Sequence, residues 1–296
     1  MTNWLSPLLS PEELGASDRH AAELGTPGFT LMLRAGRALA TAAAAALPSG
    51  RIAVLCGPGN NGGDGLVAAQ ALHEAGREVL VLLTRAAESY RGDAALARDA
   101  TEVPTHAFSP ELLRTATGAI DALLGTGATG PARGAELAAI EALVEAGLPV
   151  VACDVPSGTN AATGAVEGPA VGAIRTVTFH RPSPGHLVRP AKGHVGTLQV
   201  VDIGIPAGAP IEPQTSALRD AVLRALPGRG GDSHKYAAGA VVVLAGGEKY
   251  PGAGLLAVRG AQRAGAGYVT AVVSEPAVPL VRAAAPEAIV RPFPDR

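Results

Sequence analysis

Cysteine is scarce in this 296-residue chain, which has only Cys56 and Cys153. Neither forms a Cys-x-x-Cys pair or stands at zinc-ligand spacing from a histidine, which argues against a disulfide framework and a structural zinc. Each closes a short apolar run, where a small reduced hydrophobe suits a strand end. Neither is assigned a function. The seven histidines are scattered, with no His-Glu-x-x-His, and are read as surface or packing residues. Charge of one sign is also lacking: a formal net charge of -2 and a pI near 6.4 supply no basic field to attract nucleic acid or anionic membrane. Long hydrophobic runs are absent as well. The longest, Ala38 to Leu47, is mostly alanine and falls short of the roughly 20 residues that cross a bilayer. The N-terminus carries no basic region followed by an apolar core and a small-residue cleavage site. A cytoplasmic protein with no nucleic-acid or membrane partner is expected.

What is present suits one or two globular domains, with 47% hydrophobic and 17% charged residues. Apolar residues recur at helical spacing from Ser10 to Leu24 and from Phe29 to Leu47, with Pro27-Gly28 between them. Arg51 to Cys56, a helix-like stretch Gly65 to Ala75 and Val79 to Leu83 then form a strand, loop, helix, strand unit. The pattern repeats in Ala119 to Leu124, Gly134 to Ala146 and Pro149 to Cys153. Such alternation predicts an α/β fold, a Rossmann-like three-layer sandwich with a mainly parallel central sheet. Arg175 to Phe179 and Thr197 to Ile203, with no helix between them, are expected to close one edge. A Pro/Gly-rich run to Pro213, a helix-like stretch around Ala217 to Leu226 and the run Pro227 to Gly231 mark a boundary. Beyond it, Ala240 to Ala245, Gly252 to Ala264 and Tyr268 to Val273 start a second strand-helix-strand pattern. Only about 65 residues follow the glycine run, near the lower limit for a domain that folds alone.

Three loops follow apolar strands. Gly57-Pro-Gly-Asn-Asn-Gly-Gly-Asp-Gly65 enters a helix, so small residues admit close backbone approach while free N–H groups face outward, as an anion such as phosphate requires. It is neither Gly-x-Gly-x-x-Gly nor a P-loop, which argues against ordinary hydride transfer and NTP hydrolysis. In the second loop, Asp121 interrupts an apolar strand before Gly125-Thr-Gly-Ala-Thr-Gly-Pro131. A carboxylate there needs a partner; capping a neighbouring loop and binding a cation are both open. In the third, Asp154-Val-Pro-Ser-Gly158 places an aspartate at the carboxyl edge of the parallel sheet, where open sheets bind ligands. Asp154 is the best acid-base candidate, although an aspartate there also serves as an ordinary turn residue.

Together with Leu31-Met32, Ala35-Gly36, Arg91-Gly-Asp-Ala94, Lys192-Gly-His194 and Val201 to Pro206, these loops resemble the NAD(P)H-hydrate epimerase family, the YjeF N-terminal domain family. The resemblance implies an enzyme, an isomerase that interconverts the R and S forms of hydrated NADH and NADPH in nicotinamide nucleotide repair. It further implies that Asn60, Asn61, Gly62, Gly63 and Asp64 contact the dinucleotide, as do Gly125, Thr126, Gly127, Ala128, Thr129, Gly130, Pro131 and Asp154. One K+ per site would be held by Asn61, Asp121 and Ser157, and Asp154 would be catalytic. Relatives of this kind are commonly dimers, so a homodimer is one expected state. Leu33 departs from the acidic residue expected after Leu-Met, and this touches a helix or interface contact, not the loops.

His234-Lys-Tyr236, Gly246-Gly247, Tyr250 to Gly254 and Arg263 to Gly267 resemble the opening of the ADP- or ATP-dependent NAD(P)H-hydrate dehydratase domain, of the ribokinase-like group. No Gly-Thr-Gly-Asp follows, so this segment is expected to be an incomplete ribokinase-like α/β remnant without dehydratase activity. The domains expected are thus an epimerase domain over residues 1–212, a linker over 213–231 and the dehydratase-like segment over 232–296. Two other readings stand beside this one: a ribokinase-like phosphotransferase or dehydratase, and a non-catalytic nucleotide-binding module.

Overall fold

The computed structural model describes residues 5–206, 212–226 and 234–293. The Pro227 to Gly231 run and most of the preceding Pro/Gly-rich stretch lie outside the described residues. The chain divides into two compact units, residues 1–220 and 221–296.

The first unit opens with β1 (Leu5–Leu8), α1 (Pro11–Glu23) and α2 (Gly28–Ala46). Ser10 sets the start of α1 through a capping box: its hydroxyl accepts from Glu13 N, and Glu13 Oε2 accepts from Ser10 N at 2.7 Å. There follow β2 (Ile52–Cys56), α3 (Asn60–Glu74), β3 (Val79–Leu83), α4 (Gly92–Ala100), β4 (Thr105–Ala107) and α5 (Pro110–Leu113). The unit continues with β5 (Gly118–Ala122), α6 (Gly134–Ala146), β6 (Val150–Cys153), β7 (Arg175–Phe179), β8 (Thr197–Val201) and β9 (Thr215–Leu218).

The strands of the main sheet run in the order β4-β3-β2-β5-β6-β7-β8, and every pairing is parallel. The interior strand β2 is apolar throughout and buried on both faces, as a sheet covered on both sides demands. Ile52, Val54 and Cys56 pack with α2, α3 and α4 on one face. Ala53 and Leu55 pack with α5 and α6 on the other. From β2 the chain moves outward through β3 to β4, then returns to β5 on the opposite side of β2 and proceeds to β8. The loops leaving β2 and β5 therefore part at the switch point, which in open α/β sheets is the ligand crevice. The expected edge strands β7 and β8 are in place, joined through short 3-10 turns at Pro184–His186 and Ala191–Gly193.

Two expectations need correction. The helix behind the first glycine loop begins at Asn60 and not at Gly65, so the Asn-Asn-Gly-Gly-Asp run is itself the first helical turn, with Gly59 at its N-cap. The stretch from Ala217 is not helical at its start: Thr215–Leu218 is a strand paired antiparallel with β1, followed by a 3-10 turn over Asp220–Ala225. Main-chain pairing with the distant Leu5–Leu8 outweighs the local helical preference of alanine and leucine. Leu33 has a packing reason to be apolar, since it is partly buried against the core beneath α2 and α3. Among the described residues no helix is long and apolar enough to cross a membrane.

The second unit contains β10 (Ala240–Leu244), α7 (Gly252–Arg263), β11 (Tyr268–Val273), α8 (Val278–Ala284) and β12 (Ile289–Pro292), in a parallel sheet ordered β10-β11-β12. Its core gathers Val243, Val258, Val269, Ala271, Val273 and Val281. β10 is poorly covered, with Val242 70% and Leu244 71% exposed. Amide hydrogen exchange is expected to be slowest in β2 and β5 and clearly faster in β10, because poorly covered segments open at lower free energy. Equal protection of β10 and β2 would show that burial does not govern opening here.

Candidate active site

The carboxyl edge at the switch point is built on close backbone contacts. A Cβ on Gly57 would sit 2.1 Å from the Leu123 carbonyl oxygen, and one on Gly62 only 1.8 Å from that of Gly57. Glycine is therefore required where the loops after β2 and β5 cross the start of α3. The first helical N–H groups of α3 have no intrahelical acceptors, so the positive end of the helix faces the crevice. Tyr90 ties the end of β2 in place by donating its hydroxyl to Cys56 O at 2.8 Å.

Asp121 is fully buried in β5. Its Oδ1 accepts from Ser157 Oγ at 2.6 Å and from Leu123 N at 3.2 Å, and its Oδ2 accepts from Ser157 N at 2.8 Å. Ser157, also fully buried, has its Oγ 3.0 Å from Leu124 N. Asn61, only 9% exposed, leans against Gly125, and neither its Oδ1 nor its Nδ2 has a hydrogen-bond partner. An unpaired buried amide costs about 1–3 kcal/mol, so an orphan beside the loop after β5 calls for a partner.

Asp154 follows β6 in the left-handed region at φ 64. The bond from Val155 N to Cys153 O, 2.8 Å, closes a three-residue turn centred on it, the rare strained sense of γ-turn. The adjacent strand β7 ends in the same way, with His180 at φ 61 beneath a bond from Arg181 N to Phe179 O. The half-buried carboxylate of Asp154 accepts from Thr126 N at 2.9 Å and from Thr178 Oγ1 at 3.1 Å, so it is held between the loop after β5 and the neighbouring strand β7. Asp64, at the start of α3, has its carboxyl pushed well above the usual carboxylate range, first by burial and then by the charges of Asp154 and Asp18.

The structure thus brings together Asn61, Asp64, Asp121, Gly125, Thr126, Asp154 and Ser157. Asn60 and residues 127 and 129–131 are exposed on the rim. Cys56 and Cys153 are buried free thiols, and burial raises both well above the ordinary thiol range. Several contributors were not singled out in the sequence. Thr178 is a buried hydroxyl in β7, and the alternation of threonine with valine in Arg175–Phe179 is its faint signal. Asp18 of α1 is exposed as a residue, yet desolvation and then the charge of Asp154 raise its carboxyl, against Arg19. Arg85, after β3, forks onto the buried Glu136 of α6 at 2.8 and 2.6 Å. His186 is 2% exposed and bonds to the main chain, so it is one of the packing residues among the histidines.

Seven parallel strands in this order, with a glycine-rich helix start and carboxylates along one edge of the sheet, define an α/β protein of Rossmann-like architecture. The chain belongs to the family described as YjeF-related protein N-terminus, whose model matches residues 28–185. Residues 241–296 match the model described as NAD(P)H-hydrate dehydratase. The protein named "Bifunctional NAD(P)H-hydrate repair enzyme Nnr" of Methanothermobacter thermautotrophicus is 38% identical, over 96% of this chain and 56% of that protein. Its namesake in Thermanaerovibrio acidaminovorans is 37% identical, over 96% of this chain and 58% of its own length. The chain therefore spans a little over half the length of these curated relatives. In fold it is similar to the crystal structure of yeast ynu0, YNL200c, with a TM-score of 0.59 and 23% identity, covering 72% of this chain and 99% of that one.

Burial raises the Asp121 carboxyl from 3.8 to about 6, although the bonds from Ser157 and Leu123 pull the other way. A folded-state value above the unfolded one means that the native protein binds this proton more tightly. The stability contributed is fully present below 3.8 and is lost as pH rises through about 6. In Tris buffer free of small monovalent cations, the free energy of unfolding is expected to fall across that window by about 3 kcal/mol from this group. Asp121→Asn should remove that part of the slope; a variant with the same pH profile as the parent would contradict it.

Proposed function

We propose that the first unit catalyses epimerisation of hydrated NADH and NADPH at the hydrated carbon of the nicotinamide ring. The observation that carries this reading is the carboxylate of Asp154, fixed by Thr126 and Thr178 beside the switch point; the dinucleotide would lie between the glycine-rich start of α3 and the loop after β5. The reacting carbon bears a hydroxyl and adjoins the ring nitrogen. Asp154 donates a proton to the departing hydroxyl, the C–O bond breaks to release water, and the nitrogen lone pair forms a C=N bond that carries the positive charge. Water then adds to either face and returns its proton to Asp154, so either epimer can form. This is general acid–base work by one carboxyl group. The rim residues 125–131 and the Asn60–Asp64 turn would hold the phosphates and riboses, using main-chain N–H groups in preference to cationic side chains.

The donor set also fits potassium. Asn61 offers an unpaired buried amide oxygen, and Asp121 and Ser157 supply carboxylate and hydroxyl oxygens, the hard donors that an alkali cation takes. Bound there, the ion would supply positive charge against the buried carboxylate. The proposal concerns the first unit and the epimerisation step.

Purified protein supplied with R-NADHX and an independent S-specific dehydratase should accelerate consumption of the R form. Asp154→Asn should lower kcat by about 100-fold or more while the protein stays folded. Full rates in that variant would remove Asp154 from the mechanism. Potassium should raise the Tm of the parent protein and leave Asn61→Ala unmoved, as expected of a ligand that binds only the native state; an equal rise in both would place the ion elsewhere.

A further inference from the structure

We infer that His186 is the positioning residue that holds Asp154 in its working conformation. A γ-turn of this sense turns the carbonyl of its central residue away from the strand ladder, and Asp154 O then needs a donor of its own. His186 Nε2 lies 2.7 Å from it. At the other side of the ring, Nδ1 lies 2.9 Å from Ser183 N and 3.2 Å from Ser183 O. The main-chain N–H can only donate and is the nearer of the two, so Nδ1 accepts from it. Nε2 therefore carries the ring proton and donates to Asp154 O. The two bonds agree on one neutral tautomer.

The ring is itself firmly placed. It ends the Pro184–His186 turn, where Gly185 N donates to Ala161 O at 2.7 Å and His186 N to Ser183 O at 3.1 Å. A Cβ on Gly185 would meet Asn160 O at 2.4 Å, so the turn lies flat against the segment after Ser157. Asp154 is thus fixed at several points: its N–H donates to Val177 O at 2.7 Å, its carbonyl accepts from His186, and its carboxylate is shared by Thr126 and Thr178. Strained positive-φ residues persist where their surroundings over-determine them. Removing the His186 donor leaves the carbonyl without that partner in a partly buried place, and rotating the Asp154 peptide back to a common conformation would carry the carboxylate away from Thr126. No contact of His186 with a reacting atom is invoked; it acts through Asp154.

This inference rests on the acid–base role given to Asp154, so its test has an arm that does not read activity. His186→Leu removes the donor at similar bulk, His186→Asn places an amide too near the main chain to reach Asp154 O, and His186→Gln presents an amide N–H at the reach of Nε2. Crystal structures should show Asp154 leaving positive φ in the Leu and Asn variants and keeping it, with the Thr126 and Thr178 bonds, in the Gln variant. Nitrogen-15 spectra of the parent should show the His186 Nδ1 unprotonated and Nε2 protonated. In the R-NADHX assay, kcat of the Leu and Asn variants should fall roughly 10- to 100-fold with KM changed by less than about threefold, and Gln should restore most of the loss.

An Asp154 that keeps its φ and both carboxylate bonds in His186→Leu, or a parent protonated on Nδ1 alone, overturns the inference. So does a His186→Leu enzyme within about twofold of the parent kcat. If His186→Leu fails to fold, the comparison of Asn with Gln decides in the same terms. A parent without epimerase activity defeats the functional reading alone, and the structures and spectra still decide whether His186 holds Asp154.

Discussion

The hydrogen-bonded pair of Asp121 and Ser157 joins the two halves of the site. A carboxylate at the centre of a parallel sheet is tolerable only when its lone pairs are occupied, and here the hydroxyl and main-chain N–H of one serine occupy it from both oxygens. That pairing fixes where the chain after β6 lies relative to β5. Ser157 is three residues beyond Asp154, so the position of the acid–base candidate depends on it. Asn61 lies beside Gly125 of the loop after β5, and its buried amide has no hydrogen-bond partner.

Close packing of main chain against main chain provides the geometry around that pair. The glycines at 57 and 62 let the loops after β2 and β5 cross the start of α3 at distances no side chain permits. The same economy continues on the other side, where β6 and β7 both end in tight turns with a non-glycine residue at positive φ, and each turn is anchored to the next strand through His180 N to Val201 O and Asp154 N to Val177 O. The sheet edge is thus rigid where Asp154 sits and open along residues 127–131.

Much of this was legible in the sequence. Apolar runs ending in glycine or aspartate located β2, β5 and β6 within a residue or two, because a parallel strand covered on both faces is continuously hydrophobic and any polar interruption stands out. Asp121 stands out for that reason, and Asp154 as the residue that directly follows such a run, whereas Asn61 is marked by the glycine-rich loop and the family resemblance. Thr178, Asp18 and His186 did not, since each is an ordinary residue in its own segment and gains meaning only from what the fold places beside it. The helix starts before Gly65 although Asn-Asn-Gly-Gly is a poor helical sequence by propensity, because the turn packs against Gly57, Met32 and Gly125 from Asn61 onward.

The sequence by itself determined the alternation of strands and helices, the small residues of the loops and the kinds of chemical group at the strand ends, because these are local properties of pattern and residue type. Only the tertiary structure decided the strand order that brings the loops after β2, β5 and β6 to one edge, the pairing of β1 with β9, the left-handed turn at Asp154 and the histidine that meets its carbonyl. Those depend on contacts between residues far apart in the chain, whose free energy appears only once the sheet is assembled and the buried polar groups must find partners.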